Sequence, residues 1–300
     1  MRTITYTVED GRKDTRACDY LRKVHGYSAR MMTTLRKEMG LLTVNGQPQP
    51  VVARVTAGDV LCVNLPDDQI KSVPNPDICA PIVYEDDDLV VFDKPAGIAV
   101  HESKKHQTDT LANLFAAHCQ TNGCPSVFRA INRLDRDTSG LVVAAKNRHI
   151  ASSLTGSVKK RYTAVVCGEL VDDSGTIDAP IRRLCPERQI RIVSSDGQRA
   201  VTHYHVLARG QGYTVISLTL ETGRTHQIRV HLSHLGYPLA GDAMYGGDRT
   251  DILRHALHCG ELWFENAVTG CSVHLQSPIH ADMQRLCDWI VNGKTKPQSE

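Results

Sequence analysis

The chain has 300 residues and a formal net charge of +2, with 41% hydrophobic and 23% charged residues. That length suits a large folded unit beside a small one. Its ten cysteines form no Cys-x-x-Cys pair, and the nearest approach, Cys119 to Cys124, lacks the spacing of a zinc knuckle, so neither a disulfide framework nor a structural metal is expected. With a polar start at Arg2 and no apolar run of membrane-spanning length, the sequence predicts a reduced, cytoplasmic protein without a membrane partner, its cysteines mostly small buried hydrophobes.

In chain order, Thr15 to His25 carries Ala17, Leu21 and Val24 at helical spacing, and Gly26 stops it. Ser28 caps a second helix with Met31, Met32 and Leu35 inward, ending near Gly40. Leu42 to Val44, the Asn45-Gly46 turn and Gly58-Asp59-Val60 then read as short strands joined tightly. Residues 1–66 hold ten Lys and Arg against six Asp and Glu, a net +4, whereas 67–93 hold eight acids against Lys71, a net −7. The basic end suits a polyanion, although scattered cations are more often solvated helix faces. Ser28-x-Arg30, Val44-Asn45-Gly46 and Gly58-Asp59 resemble the small RNA-binding module of the S-four ribosomal type. That resemblance implies RNA backbone contacts from the second helix, through Arg30, Arg36 and Lys37.

Residues 67–81, with Pro74, Pro76 and Pro81 and no periodicity, read as a linker. Beyond it, Asp88 to Lys94 is a strand entering the Pro95 to Gly97 turn, and a helix follows from about Thr108 with Leu111, Leu114 and Phe115 on one side. Tyr162 to Gly168, Gln189 to Ser194, Ala200 to Leu207 and Tyr213 to Leu220 are strand-like, with turns at Ser195 to Gly197 and Gly210 to Gly212 that argue antiparallel hairpins. Thr225 caps a helix with Ile228, Leu232 and Leu235 inward, and Ile279 to Val291 is a last amphipathic helix. Strands following one another with few helices between them predict an α+β fold with a mixed, mainly antiparallel sheet. The expected layout is a basic module over 1–66, a linker over 67–81, a large domain over 82–293 and a tail over 294–300.

The chemistry points to Ile131 to Asn147. Two carboxylates, two arginines and a Thr-Ser-Gly turn stand directly before an apolar run, Leu141 to Ala145, that reads as a buried strand. Asp135 and Asp137 are explained locally as turn acceptors. Yet Arg133 and Asp135, two apart, share a side of an extended segment and are costly to desolvate unless they face a cleft. Asp135 is therefore the candidate nucleophile or base.

Arg133-Leu134-Asp135-x-x-Thr138-Ser139-Gly140 resembles the core signature of the RluA-like RNA pseudouridine synthases. The likeness continues in Lys94-Pro95-x-Gly97 with His101, Lys160-x-Tyr162-x-Ala164, Thr222 to His231, Gly236 to Gly246 and Arg254 to His258. It implies isomerisation of uridine to pseudouridine in structured RNA without metal or cofactor. Ribosomal large-subunit RNA is the first expectation and transfer RNA the second, with no obligate protein partner. The implied catalytic set is Asp135, with Arg224 as its counter-ion and Tyr162 as an aromatic platform. Arg133 would fill the gap left by a flipped uridine. Asn132, Lys94, His226 and Arg229 complete the expected substrate and RNA contacts. From the residues alone, Arg224 serves equally to hold a phosphate or a loop carbonyl, and Tyr162 to fill a core. Asn132 departs from the histidine usual at that place, which puts substrate positioning in question. Two other readings stay open: a non-catalytic RNA-binding protein, and a phosphatase using Asp135-x-Asp137-x-Thr138, which lacks the expected preceding strand. His226, His231 and His234 suit satisfied helix positions better than a metal site.

Overall fold

A computed structural model describes residues 2–11, 14–66, 70, 72–123 and 126–293. The expected tail over 294–300, most of the acidic run at 67–71 and Cys124 lie outside those residues.

The N-terminal part has its own core. Strand β1 (Arg2–Thr7) is followed by β2 (Thr15–Arg16), α1 (Ala17–Lys23), α2 (Ala29–Lys37), β3 (Leu42–Val44), β4 (Gln47–Pro48), β5 (Arg54–Val55) and β6 (Val60–Leu65). Its main sheet runs β1-β6-β3-β4, all antiparallel, while β2 pairs β5. The Ser28 hydroxyl accepts from Met31 N–H, and Met31, Met32 and Leu35 are buried as their spacing requires. Asn45 and Gly46 turn the β3–β4 hairpin with φ of 51° and 79°, the left-handed pair a two-residue turn demands. Arg30, Arg36 and Lys37 project from α2 into solvent.

The larger part begins with β7 (Ile82–Glu85), β8 (Leu89–Lys94), α3 (Leu111–Thr121), β9 (Arg129–Ala130), β10 (Ser139–Ala145) and α4 (Arg148–Leu154). It continues through β11 (Lys159–Cys167), β12 (Ser174–Asp178), β13 (Ile181–Arg183), β14 (Arg191–Val193), β15 (Val201–Gly210) and β16 (Tyr213–Leu220). Helix α5 (Gln227–His234), β17 (Leu257–Glu265), β18 (Ser272–Gln276) and α6 (Ala281–Asn292) close it. One sheet orders β12-β15-β16-β11-β17-β10-β8-β7, with β18 on β17 and β9 on β10. Every pairing in it is antiparallel except β10 with β17, so the fold is α+β with a mainly antiparallel sheet.

Strand β10 is buried along its whole length, as an apolar run at a sheet centre must be. Its parallel contact with β17 depends on Gly140, where φ is 108° and a β-carbon would lie 2.3 Å from the Cys259 carbonyl oxygen. Strands β1, β7, β12, β13, β17 and β18 and helix α4 are among the elements that the sequence patterning does not announce; β17 is interrupted by Gly260 and the charged Glu261, which blur its alternation.

The two parts are docked. Arg2 grips the nearly buried Asp88 through two hydrogen bonds of 3.1 and 2.8 Å, and Tyr27 stacks on His149 with centroids 3.7 Å apart. The linker expectation needs correction accordingly. Asn113 donates to the Val73 carbonyl and Asn75 to the Thr108 carbonyl, pinning 73–75 to the start of α3. Three further expectations fail. Thr225 does not cap α5, whose first flanking residue is His226; Leu235 is 40% exposed; and only Cys119, Cys259 and Cys287 are buried among the described cysteines.

Candidate active site

Asp135 sits in an extended segment that three elements hold against the sheet. Asn132 accepts from Val143 N–H at 2.8 Å and donates to the Leu141 carbonyl at 3.0 Å, tying the segment to β10. Its amide is buried and spent on backbone, so the expectation of an RNA-contacting Asn132 is corrected: it is a strut. Lys94 needs the same correction. It is fully buried and donates to the carbonyls of Pro95, Ile98 and Arg136 at 2.8 to 2.9 Å, stapling the turn after β8 to the residue after Asp135. Burial, partly offset by Asp137, pushes its ammonium down to about 7.

From the other side, Arg254 donates to the Asp137 carbonyl while α6 fixes it through a two-point pair with Asp282 at 2.6 and 2.9 Å. Thr138 Oγ1 lies 2.7 Å from His255 Nε2, and Ser139 Oγ lies 3.0 Å from His258 Nδ1. Burial above all takes both histidines down to about 4, so these partners are neutral near pH 7.

The Asp135 side chain, 19% exposed, opens on a hollow whose empty space, counted out to its mouth, is about 370 Å³. Arg133, Tyr162, Arg224, His226 and Arg229 line it. Of the two arginines in the Thr222 to Arg229 block, Arg229 holds the carboxylate: its Nη1 donates to Asp135 Oδ2 at 3.0 Å. Arg224 instead donates through Nε to the Arg199 carbonyl at 3.0 Å, the loop-carbonyl role that residue chemistry had left open. The expected Asp135–Arg224 pair is therefore corrected. The reason is local. Gln227 Oε1 accepts from Thr222 Oγ1 and Arg224 N–H, closing the turn; His226 adopts φ 57°; and the helix begins at Gln227, rotating Arg229 inward.

A second acid that the sequence reading did not single out completes the pair. Asp242 accepts from Arg229 Nε and Nη2 at 2.7 and 2.8 Å, with the two side chains 1% and 7% exposed. Burial opposes the guanidinium charge, but the Asp242 bonds and the charges of Asp242 and Asp135 outweigh it and hold Arg229 above its ordinary value. Its face also lies over the Tyr245 ring, 5.0 Å from the centroid.

Tyr162 enters from β11 beside a bulge and is 6% exposed. Burial first, then Cys259 and the Asp135 charge, raise its phenol well above the usual value, so it presents a neutral ring. Arg133 stands exposed at the mouth. His226 Nδ1 lies 2.8 Å from Tyr245 Oη, with Nε2 3.7 Å from Asp135 Oδ2. Asp137 turns away to Arg136 at 3.0 Å, and the long strand β10 follows the acidic loop, an arrangement unlike the Asp-x-Asp-x-Thr phosphatase reading. Among the described residues no group of three or more His, Cys, Asp or Glu is placed to hold a metal, and no helix is long and apolar enough to cross a membrane.

The site offers one ion-paired carboxylate, a buried aromatic ring and a basic mouth. Residues 88–234 match the family described as RNA pseudouridylate synthase. The chain is 39% identical over 297 residues to the uncharacterized RNA pseudouridine synthase YlyB of Bacillus subtilis (strain 168), across 96% of this chain and 98% of that protein. It is 40% identical over 225 residues to the ribosomal large subunit pseudouridine synthase D of Pseudomonas aeruginosa, across 69% and 70% of the two chains. Among solved structures, human RNA pseudouridylate synthase domain containing 1 shares the fold with a TM-score of 0.54 at 24% identity, covering 74% of this chain and 97% of that one. By sequence and by fold, then, this chain belongs to the RNA pseudouridine synthases, isomerases that convert uridine in RNA to pseudouridine.

Proposed function

We propose that Asp135 is the residue that acts on the target nucleoside, and that Arg229, not Arg224, is its counter-ion in the hollow. The observation that carries this is the 3.0 Å bond from Arg229 Nη1 to the only carboxylate among the described residues that line that space. Uracil leaves ribose as a delocalised anion and needs no second acid, unlike an ordinary glycoside. Its N1–C1′ electron pair stays on the ring, the ring turns against Tyr162, a C5–C1′ bond forms, and the proton lost from C5 is matched by one gained at N1, so the product is an isomer of the substrate. Water must be kept out while the base is detached, which suits a hollow walled by Leu134, Leu220 and Ile228.

The uridine reaches that depth only after flipping out of its stack. Arg133 at the mouth is suited to replace it, its guanidinium plane stacking on neighbouring bases while its charge meets phosphate. The N-terminal part acts as the S-four-like RNA-binding module, with Arg30, Arg36 and Lys37 on the phosphate backbone. The substrate is ribosomal large-subunit RNA, a reading supported by the relative from Pseudomonas aeruginosa, with transfer RNA second and the cytoplasm as the compartment.

Incubation with transcribed large-subunit and transfer RNA, followed by pseudouridine mapping, tests this. Asp135→Asn abolishes product while RNA binding survives; residual turnover comparable to the parent refutes the assignment.

A further inference from the structure

His226 is strained and held. It is a non-glycine residue at φ 57°, and its ring is 10% exposed between Tyr245 and the catalytic carboxylate. Histidine visits that region more readily than bulky residues, but the conformation persists only where surroundings enforce it. Here Gln227 closes the preceding turn and Tyr245 captures the ring.

Tyr245 also determines where the imidazole proton sits. The phenol oxygen accepts from Arg191 N–H at 2.9 Å, an obligatory donor. The single phenol proton then needs an acceptor, and the described residues offer it His226 Nδ1 at 2.8 Å. If Nδ1 carried a hydrogen, the phenol would have to accept from both Arg191 N–H and Nδ1 and turn its own proton away from the imidazole, giving up the O–H···N bond. Nδ1 is thus the acceptor, and the neutral ring carries its hydrogen on Nε2. Burial, only partly countered by Asp135, favours that neutral form. At 3.7 Å from Asp135 Oδ2 the Nε2–H group is too far for a hydrogen bond to the acid, and it lines the hollow.

We infer that His226, locked by Tyr245 as the Nε2–H tautomer, donates a hydrogen bond to a carbonyl oxygen of the detached uracil and holds the ring while it turns. No proton is transferred: the N1–C1′ pair stays on the ring, and the bond from Nε2–H offsets charge that appears on the carbonyl oxygen only after cleavage. His226 is then a catalytic residue and Tyr245 a positioning residue acting through it. The inference rests on the proposed role of Asp135.

The test is single-turnover pseudouridine formation on transcribed RNA, with RNA affinity measured in parallel and the ring tautomer read from ¹⁵N-histidine NMR, using His226→Gln to assign the signal. His226→Ala slows the chemical step by about ten- to a hundredfold, the worth of a hydrogen bond to a charged group, with RNA affinity within about twofold. His226→Gln, which keeps a donor near the Nε2 position, recovers part of that rate. Tyr245→Phe falls between and loses the pure Nε2–H signature. An unchanged rate in His226→Ala, or an Nδ1–H signal in the parent, overturns the inference. Asp135→Asn run beside them separates the two claims: if it is inactive while His226→Ala is unimpaired, only the histidine role fails; if it is active, the reading of the site itself fails.

Discussion

Replacing Arg229 by methionine separates the two arginines most sharply. The substitution keeps the length and apolar stem of the side chain and removes the fork that bonds Asp242 at 2.7 and 2.8 Å and Asp135 at 3.0 Å. With the Asp242 side chain 1% exposed, its carboxylate is left charged in the interior without a partner. Removing one member of a buried pair of this kind costs about 3–5 kcal/mol. Asp242→Asn on the same background removes the stranded charge, so the double variant regains part of that loss, with a coupling of roughly 1–3 kcal/mol. Urea unfolding followed by far-ultraviolet dichroism measures both quantities. Pseudouridine formation is lost in the single and the double variant alike, because Asp135 has no counter-ion in either. Arg224→Met, which gives up one bond to the Arg199 carbonyl, leaves stability within about 1 kcal/mol of the parent. The reasoning is refuted if Arg229→Met unfolds at the parent's midpoint, or if Arg224→Met destabilises the fold more.

Other consequences follow from the buried groups. His149 is 1% exposed with neither ring nitrogen bonded, and burial takes it down to about 4, against an ordinary 6.5. The unfolded chain therefore binds the extra proton between those values, and stability falls as pH drops through 6.5 toward 4. His149→Phe, which keeps the ring on Tyr27, removes that loss and gains about 2 kcal/mol relative to the parent at pH 5; equal acid midpoints for the two proteins exclude it. Lys94, lowered to about 7, gives up its proton in the folded state at a lower pH than in the unfolded chain, where the ordinary value is 10.5, so its contribution rises with pH across that range. The stability gap between parent and Lys94→Met accordingly widens by roughly 2 kcal/mol from pH 7 to 9 in urea titrations, and a gap independent of pH contradicts it. Gly140→Ala forces a β-carbon into the Cys259 carbonyl and separates β10 from β17, so soluble, active protein from that variant contradicts the close approach.

What the sequence made legible was what periodicity and local chemistry encode. The Ser28 cap, the Asn45-Gly46 turn and the all-apolar β10 each state their structure in adjacent residues. The site's location was equally legible, because two carboxylates crowded against a core strand need a cleft or a turn. What it did not state was which of two nearby arginines meets Asp135, since that depends on where the helix starts. A left-handed His226 moves the first helical residue to Gln227, and neither Thr225 nor the helical period signals this. A hint was present in Gln227-Ile228-Arg229-Val230, where a cation sits between two apolar residues of a short helix and so needs a buried acid. Asn132 and Lys94 misled for the opposite reason. Polar residues beside a signature suggest substrate contacts, whereas burial has turned both to backbone carbonyls and amides.

The same burial argument bears on how the N-terminal part serves the enzyme. A module on a loose tether adds RNA affinity but leaves the target uridine's approach unconstrained. In this chain Arg2 neutralises Asp88, whose Oδ1 also accepts from Asn147, the cap of α4; His149, the second residue of that helix, carries the Tyr27 stack. Both contacts fall at the start of β8 and the beginning of α4, the strand and helix that flank β10. Because β8 ends in Lys94 and β10 begins in the Thr138-Ser139 clamp, the seam with the N-terminal part and the support of Asp135 belong to one continuous piece of sheet. Removing residues 1–66 would therefore strip a counter-ion from a nearly buried carboxylate as well as the cations proposed to meet RNA. A binding-only role for the module is isolated by charge reversal on the exposed face of α2, not by deletion.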